Sequence, residues 1–548
     1  MNLLKKISTR GMIVDFNRLT HCTMKFGQKL NIERWFYLFI YVHLLLWTLV
    51  PAIVRDNLPM DAIEGSIWGH QLEWGYDKNP YLNGWLTALA TWLDGYSDWI
   101  LYFFSQICVV ICLWATFQIA KKILPPLSAL LSVCILESVQ YYHFHALDFN
   151  DNTLELALWS LLIYFFYLAL TQPRRWYWIA TGLFAGLSMM AKYYTAVLLL
   201  PLLILLITDK THRKQLSTLS PYLGLTIFFI IICPHMIWLF SHDFITINYA
   251  VNRVGTNEPQ LSNHLRYPLR FLWEQCEVFL PAVGCWLLLY LINKPSPQTN
   301  TKRPAARDIP SRDREGASHD QQASLLLNSD TLLSTQLGFY HKKFLCYAAF
   351  GPLLTTLLLS FCFGFTLRAG WGMPLLSLWG VALFAFAPPK LSPVKAITCL
   401  GSLFALMTIF LSSYSLSFIN SDTPSSANFP GKIIARTITE YWHNQYHTPL
   451  SYVAGSRWIG GNIEFYSTDH PAVFINWNHA QSPWIQEDKL RQKGGVFVWH
   501  INSNEHLPAD IQARFPTLTT FRVLTFHYLR DTHHLAPITV GVAILPPA

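Results

Sequence analysis

Long runs of apolar residues recur along the chain and restrict what it can fold into. The first run, WFYLFIYVHLLLWTLVPAIV at positions 35–54, contains no Asp, Glu, Lys or Arg. Its length of about 20 residues is what a helix needs to cross a bilayer. The chain of 548 residues is 52% hydrophobic and 13% charged, whereas soluble proteins carry about 25% charged residues. We therefore predict a polytopic α-helical membrane protein.

About eleven segments have the length and apolar composition of membrane spans. They are 35–54, 99–120, 124–139, 153–170, 176–191, 195–208, 221–240, 271–292, 343–363, 373–387 and 396–418. The first segment lies too far from the N-terminus, and is followed by too many similar ones, to be a cleaved signal peptide. Together they predict a transmembrane domain over 35–419.

Basic residues collect in alternate loops of this arrangement. They lie in the N-terminal segment 1–34, in the short loops at 121–122, 174–175 and 210–214, and in the segment 293–342. Because basic loops stay on the cytoplasmic side of a membrane, we expect these regions in the cytoplasm and the protein in a bacterial inner membrane. The net charge of +8 is then an orientation signal, which argues against nucleic acid as a partner.

Two regions differ from the apolar background. Residues 293–324 are polar and rich in Pro, so we predict a disordered cytoplasmic loop over 293–342. Residues 420–548 predict a periplasmic α/β domain, with strands in TPLSYVAGS, PAVFINW and GGVFVWHI and a helix in KIIARTITEYWHNQY. No Cys follows Cys399, so this domain has no disulfide, and the chain shows no Cys-based zinc motif.

The loop 55–98, on the predicted periplasmic face, contains two groups of charged residues. In PMDAIEGSIW, Asp61 and Glu64 would share one face of a helix, either as a general base with its partner or as acids that favour a helix N-terminus. In GYDKNP, Asp77 and Lys78 form either a surface pair or a phosphate ligand held at the membrane interface by surrounding Trp and Tyr residues.

Further polar residues occupy other predicted periplasmic turns. In YYHFHALDFNDNTLELALW, His143 and His145 with Asp148 and Asp151 predict either ligands for a divalent metal or, at Asp151 or its neighbour Asn152, the cap of the next helix.

Three cations fall in turns on the same predicted face. Lys192 lies between two short apolar segments, where an ionisable group indicates function unless it snorkels to the interface. Arg253 and Arg368 would add positive charge for an anionic lipid.

These residues resemble those of bacterial C-type glycosyltransferases of the protein O-mannosyltransferase group, which includes the lipid A aminoarabinose transferase. Asp61 stands at the family's Asp, while Ala62 replaces its Glu, with Glu64 one turn later. Asp77 and Lys78 stand where the aminoarabinose transferase has Glu-Lys.

Later segments extend the resemblance. AKYYTAVLLLP matches the family's Lys-containing segment, and in RAGWGMPLL a Trp, Trp371, stands where the family has Tyr. The family's metal-binding His has no match near Arg253.

The resemblance implies a C-type glycosyltransferase fold and an inverting transfer of a sugar from a polyprenyl-phosphate donor to a lipid or glycan acceptor. Asp61, with Glu64, is then the catalytic group. The expected donor-phosphate ligands are Lys78, Lys192, Arg253, Arg368 and Trp371. A divalent ion is an open option, with Asp77, Asp148 and Asp151 as its ligands. The alternatives are a lipid or solute transporter or flippase, which would more often show two related halves, and a non-catalytic membrane scaffold.

Overall fold

The computed structural model describes residues 31–255, 260–291, 338, 340–419, 423–501, 507–531 and 534–548. The predicted N-terminal segment and cytoplasmic loop fall almost entirely outside these residues. The helices of the membrane part are α1 (Ile32–Val54), α2 (Met60–Gly69), α3 (Leu82–Asp94), α4 (Asp98–Ile123), α5 (Pro126–Cys134), α6 (Asp151–Thr171), α7 (Arg175–Ala191), α8 (Ala196–Thr208), α9 (Lys210–Arg213), α10 (Ser220–Ser241), α11 (Ile245–Val254), α12 (Asn263–Leu291), α13 (Gly351–Phe363), α14 (Trp379–Phe386) and α15 (Pro393–Ile419).

Seven helices in the described residues are long and apolar enough to cross a membrane, and two bent helix pairs raise the number to nine. All eleven predicted segments coincide with helical structure, so the polytopic α-helical prediction is confirmed. The other two predicted segments form shorter helices. The apolar stretch Pro126–Ser138 is short. The 17 residues of α7 extend only about 26 Å, less than the hydrocarbon thickness of about 30 Å.

A buried polar cluster connects α1, α4 and the turn after α5. His43 Nδ1 lies 2.6 Å from Glu137 Oε2, and the Trp47 indole N–H donates to Glu137 Oε1 at 3.1 Å. His43 Nε2 lies 3.0 Å from Gln106 Oε1. Because an unpaired carboxylate is costly in a membrane interior, this cluster fixes the relative positions of the three segments.

The C-terminal residues form a separate mixed α/β domain. Its elements are α16 (Gly431–Tyr446), β1 (Tyr452–Gly455), α17 (Arg457–Tyr466), β2 (Ala472–Ile475), α18 (Glu487–Lys493), β3 (Gly495–His500), α19 (Ala509–Arg514), β4 (Arg522–Phe526) and β5 (Ile538–Leu545). The sheet order is β2-β1-β3-β5-β4. The first three strands are parallel, and β5 pairs antiparallel with β3 and β4. The predicted helix and three strands are confirmed as α16, β1, β2 and β3, whereas β4 and β5 are additional.

This domain docks onto α2 through α17. An added Cβ at Gly461 would lie 2.6 Å from a methyl carbon of Ile63, so the absence of a side chain at Gly461 allows the two helices to approach closely. The hydroxyl of Ser66 donates to Glu464 Oε2 at 2.6 Å, and Glu464 is buried. The contact directs the N-terminus of α17 toward the loop between α2 and α3.

Candidate active site

One cavity of about 370 Å³ collects most of the residues singled out in the sequence. Its predicted members are Asp61, Glu64, Lys78, Asp151, Lys192, Arg253, Arg368 and Trp371. They come from α2, the loop before α3, the start of α6, the break after α7, α11 and residues 368–371, where the bent pair that ends with α14 begins. Six separate parts of the chain therefore converge on one space.

Asp61 lies in the first turn of α2 and is held from two sides. The backbone N–H groups of Asp61 and Ala62 donate to the two oxygens of Asp148, at 3.4 and 2.9 Å. The side-chain amide of Asn150 donates to Asp61 Oδ2 at 3.0 Å. Asp148 thus caps α2 in place of Pro59, whose side chain cannot, and the Asp61 carboxylate is oriented on the cavity wall.

Lys78 was expected to pair with its neighbour Asp77, but it pairs with Glu64 instead. Its Nζ lies 2.6 Å from Glu64 Oε1, and Glu64 also lies 2.9 Å from Nη1 of Arg457. The other guanidinium nitrogen of Arg457 donates to Asp77. Two cations and two carboxylates therefore form one charge-balanced cluster, which joins the loop between α2 and α3 to the C-terminal domain.

Burial opposes ionisation within this cluster. It raises the pKa of the Glu64 and Asp77 carboxyls, and the positive charge of Arg457 acts in the opposite direction. Burial lowers the pKa of the Arg457 guanidinium, but the two carboxylates outweigh it and the pKa is raised overall. Removing any one of these charges would leave an unbalanced charge with little access to water.

Three cavity cations make no ion pair with a carboxylate in the described part of the chain: Lys192, Arg253 and Arg368. Lys192 donates to the side-chain carbonyl of Asn152, and its Nζ lies 5.4 Å from the centre of the Trp371 ring. Burial and the positive charge of Arg253 lower the pKa of Arg368. Cations that repel one another beside a cavity favour an anionic ligand.

The three carboxylates predicted to bind a metal each have a different partner in the structure. Asp77 is bonded to Arg457, Asp148 accepts backbone N–H groups, and Asp151 accepts from the Asn79 amide at 2.7 Å. Within the described ranges, no three His, Cys, Asp or Glu side chains come together as a metal-ligand set. The three carboxylates are thus engaged separately in the described residues, and metal binding stays a prediction.

The remaining residues of this segment also differ from expectation. The cap of α6 is Asn150, whose side chain accepts the Thr153 N–H at 3.1 Å, and not Asp151 or Asn152. His143 is buried between aromatic rings, with Trp47 on one side at 5.1 Å and Phe410 on the other at 4.8 Å. Burial in an aromatic stack places His143 away from the cavity.

The sequence analysis missed several residues of the site. Arg457 is the main one, because it belongs to the C-terminal domain and reaches the cluster only through docking. Asn79, Asn150, Asn152 and Tyr249 also line the cavity. The density of Asn around the acidic residues was the available signal, since amide groups orient carboxylates without adding charge.

Three comparisons relate the chain to known proteins. Residues 78–238 match the family described as dolichyl-phosphate-mannose-protein mannosyltransferase. The lipopolysaccharide core galacturonosyltransferase RgtA of Rhizobium johnstonii is 22% identical over 225 residues, which are 40% of this chain and 45% of RgtA. The chain thus spans less than half the length of this relative.

Among solved structures, ArnT from Cupriavidus metallidurans bound to undecaprenyl phosphate superposes with a TM-score of 0.55 at 14% identity. The alignment covers 92% of this chain and 98% of ArnT. This likeness extends over both the membrane part and the C-terminal domain. The chain therefore has the C-type glycosyltransferase fold of ArnT, and one segment of it is similar to the protein mannosyltransferases.

Proposed function

We propose that the protein is an inverting glycosyltransferase that moves a sugar from a polyprenyl-phosphate donor to a periplasmic acceptor. The acceptor we propose is lipid A, the lipopolysaccharide core or another glycolipid, and the cavity would face the periplasm from a bacterial inner membrane. The observation that carries the proposal is that one cavity holds an oriented carboxylate, Asp61, and three cations that form no ion pair in the described residues.

Asp61 has the position required of a general base. The side-chain amide of Asn150 donates to Oδ2 of Asp61. The other carboxylate oxygen of Asp61, Oδ1, has no hydrogen-bond partner in the described residues. An acceptor hydroxyl that donated to Oδ1 would transfer its proton there as its oxygen attacks the anomeric carbon of the sugar. The bond from that carbon to the phosphate oxygen then breaks, and the polyprenyl phosphate leaves with the electron pair.

The cations would stabilise the departing phosphate. Lys78 and Lys192 are held by Glu64 and Asn152, so they need little reorganisation as negative charge develops. Arg253 and Arg368 add positive charge to the same cavity, and one such donor can contribute about 10²–10³ in rate. Trp371 contacts Lys192 and would limit the positions of its ammonium group.

The names of two relatives support the substrate classes. ArnT was crystallised with undecaprenyl phosphate, which is a polyprenyl phosphate of the kind proposed as the leaving group. RgtA is named for transfer to a lipopolysaccharide core. Both are similarities, and the sugar and acceptor of this chain are proposed on that basis.

Mass spectrometry of lipopolysaccharide and glycolipids tests the proposal. We expect one glycan species from cells that make the protein to lose the mass of a single sugar when the gene is removed. Wild-type protein should restore it, and Asp61→Asn protein at equal abundance in the membrane should not. Identical glycolipid profiles with and without the protein would contradict the proposed activity, and full restoration by Asp61→Asn would contradict the base.

A further inference from the structure

The C-terminal domain contributes a cation to the charged cluster at the cavity. Arg457 is the first residue of α17, directly after the capping Ser456, whose side chain accepts the Ile459 N–H at 3.2 Å. Its side chain is 11% exposed, and those of Glu64 and Asp77 are 9% and 7% exposed. A side chain from the soluble domain is therefore buried in the wall of the membrane site.

The cluster balances charge only when Arg457 is present. Arg457 and Lys78 oppose Glu64 and Asp77. Without Arg457, Lys78 alone would face two carboxylates beside the space proposed for a phosphate. Because like charges repel strongly where water is scarce, a phosphate would then bind less well, and Glu64 would compete with it for Lys78.

We infer that Arg457 is a positioning residue that holds Glu64 and Asp77 so that Lys78 can bind the donor phosphate. The inference rests on the proposed function, since it assigns Lys78 to that phosphate. The planar guanidinium suits this task because it can hold two carboxylates at once, which an ammonium group cannot do in the same geometry.

Binding of undecaprenyl phosphate to purified protein in nanodiscs tests this role. We expect Arg457→Gln to raise the Kd at least tenfold, and the double variant Arg457→Gln/Asp77→Asn to recover most of the loss by restoring the balance of charge. The matched control is Arg530→Gln, which removes another interdomain pair, Arg530 with Asp56 at 2.9 Å, and should leave the Kd unchanged.

The outcomes separate this inference from the proposed function. Absence of binding by the wild-type protein would overturn the proposed function. Normal binding by wild type with an unchanged Kd in Arg457→Gln would overturn the positioning role alone. A double variant as weak as the single one would show that Arg457 acts only in domain docking, and would also overturn it.

A second, independent feature lies at the opposite end of the membrane part. α6 begins at the charged cavity and is 21 residues long, so it ends roughly 30 Å away. Beside its end, a pocket of about 510 Å³ is lined by the cations Arg174, Arg175 and Lys214, and by no carboxylate. In the part of the chain that the structure describes, none of the three cations forms an ion pair.

An apolar groove continues from this pocket between α7, α8 and α10. It has a volume of about 500 Å³, and Trp178 lines both spaces. The Trp178 indole N–H donates to Gln215 at 3.0 Å, which fixes the junction. An added Cβ at Gly182 would lie 1.9 Å from the Gly224 carbonyl oxygen, so the backbones of α7 and α10 touch, and this close contact forms the floor of the groove.

The geometry points to a binding site for an anionic phospholipid of the adjoining leaflet. The basic pocket would take the phosphate head group, and the groove would take an acyl chain. Basic pockets between transmembrane helices bind anionic lipid head groups. Here the adjoining apolar groove would hold the acyl chain of the same lipid. A free phosphate would match only the pocket, and a neutral lipid only the groove.

Native mass spectrometry of the full-length protein tests the site. The protein is purified from vesicles that contain equal amounts of phosphatidylglycerol and phosphatidylethanolamine. We expect retained phosphatidylglycerol to fall at least tenfold in Arg174→Gln/Arg175→Gln/Lys214→Gln. The control Lys122→Gln/Lys210→Gln/Arg213→Gln removes equal charge from exposed residues outside the pocket and should retain the lipid. Equal retention by the two variants, or complete displacement of the lipid by inorganic phosphate, would overturn the proposal.

Discussion

Asn150 donates a hydrogen bond to Asp61 Oδ2 at 3.0 Å, while the carbonyl oxygen of the same side chain caps α6 by accepting the Thr153 N–H. One amide therefore ties the start of a membrane helix to the orientation of the proposed base. The two roles use different atoms of Asn150, so a suitable substitution can separate them.

Asn150→Ser should keep the helix cap and lose the bond to Asp61. Serine caps helices about as well as asparagine, so we expect thermal stability to change little. Loss of a hydrogen bond to a charged group costs about 1.5–3 kcal/mol, which would lower kcat about 10- to 100-fold. Steady-state transfer assays and thermal unfolding of the same preparation measure both effects, and unchanged kcat would show that Asp61 needs no orientation by Asn150.

Arg253 and Arg368 should act mainly on the lipid donor. Replacing either residue by Ala removes a cation that forms no ion pair in the described residues. We therefore expect the KM for the donor to rise about tenfold, which corresponds to about 1.4 kcal/mol of binding free energy. The KM for the acceptor should not change. Arg266→Ala is the matched control, because Arg266 is exposed and does not line the cavity. A similar effect of all three variants would indicate a general surface potential.

Glu137 should be essential for the stability of the membrane part. Glu137→Ala leaves His43 and the Trp47 N–H without their buried partner, and breaking a buried pair costs about 3–5 kcal/mol. We expect a marked fall in the thermal unfolding temperature in detergent. Glu440→Ala serves as the comparison because Glu440 pairs with Arg436 on the surface, where such pairs contribute about 0–1 kcal/mol.

The C-terminal domain should lose stability in acid partly through Glu487. A hydrogen bond from Arg514, together with Arg491 and His479, lowers the pKa of Glu487 to about 2. Since a free Glu has a pKa of about 4.3, the stabilisation is present above that pH and is lost as pH falls toward 2.

Stability measured against pH tests this assignment. Glu487→Gln should lower the unfolding temperature of the full-length protein at pH 6 and have less effect at pH 3. An equal effect of the substitution at both pH values would contradict it, and Glu440→Gln is the control.

The membrane helices could be read from the sequence because each depends on a local run of apolar residues. The same holds for β1, β2 and β3, which are short apolar segments between turns. The bend of 54° between Ala369–Leu376 and Trp379–Phe386 could not be read in this way, because its composition is that of an ordinary span.

Within the site, residue types were easier to predict than partners. Asp61, Lys192 and Arg368 were identified because charge beside apolar segments is rare. The sequence predicts that Asp77 pairs with the adjacent Lys78 or binds a metal, whereas its partner is Arg457, 380 positions later. No local pattern connects such positions, since their contact depends on how a separate domain docks.

The docking of α17 onto α2 sets an order for biosynthesis. A nascent chain that has inserted the described helices α1 to α15 still lacks Arg457, which follows α15. The charged cluster can close only after the domain that contains Arg457 has left the ribosome, reached the same side of the membrane as the cavity and folded. Incompletely synthesised copies would therefore be assembled in the bilayer with an unbalanced site.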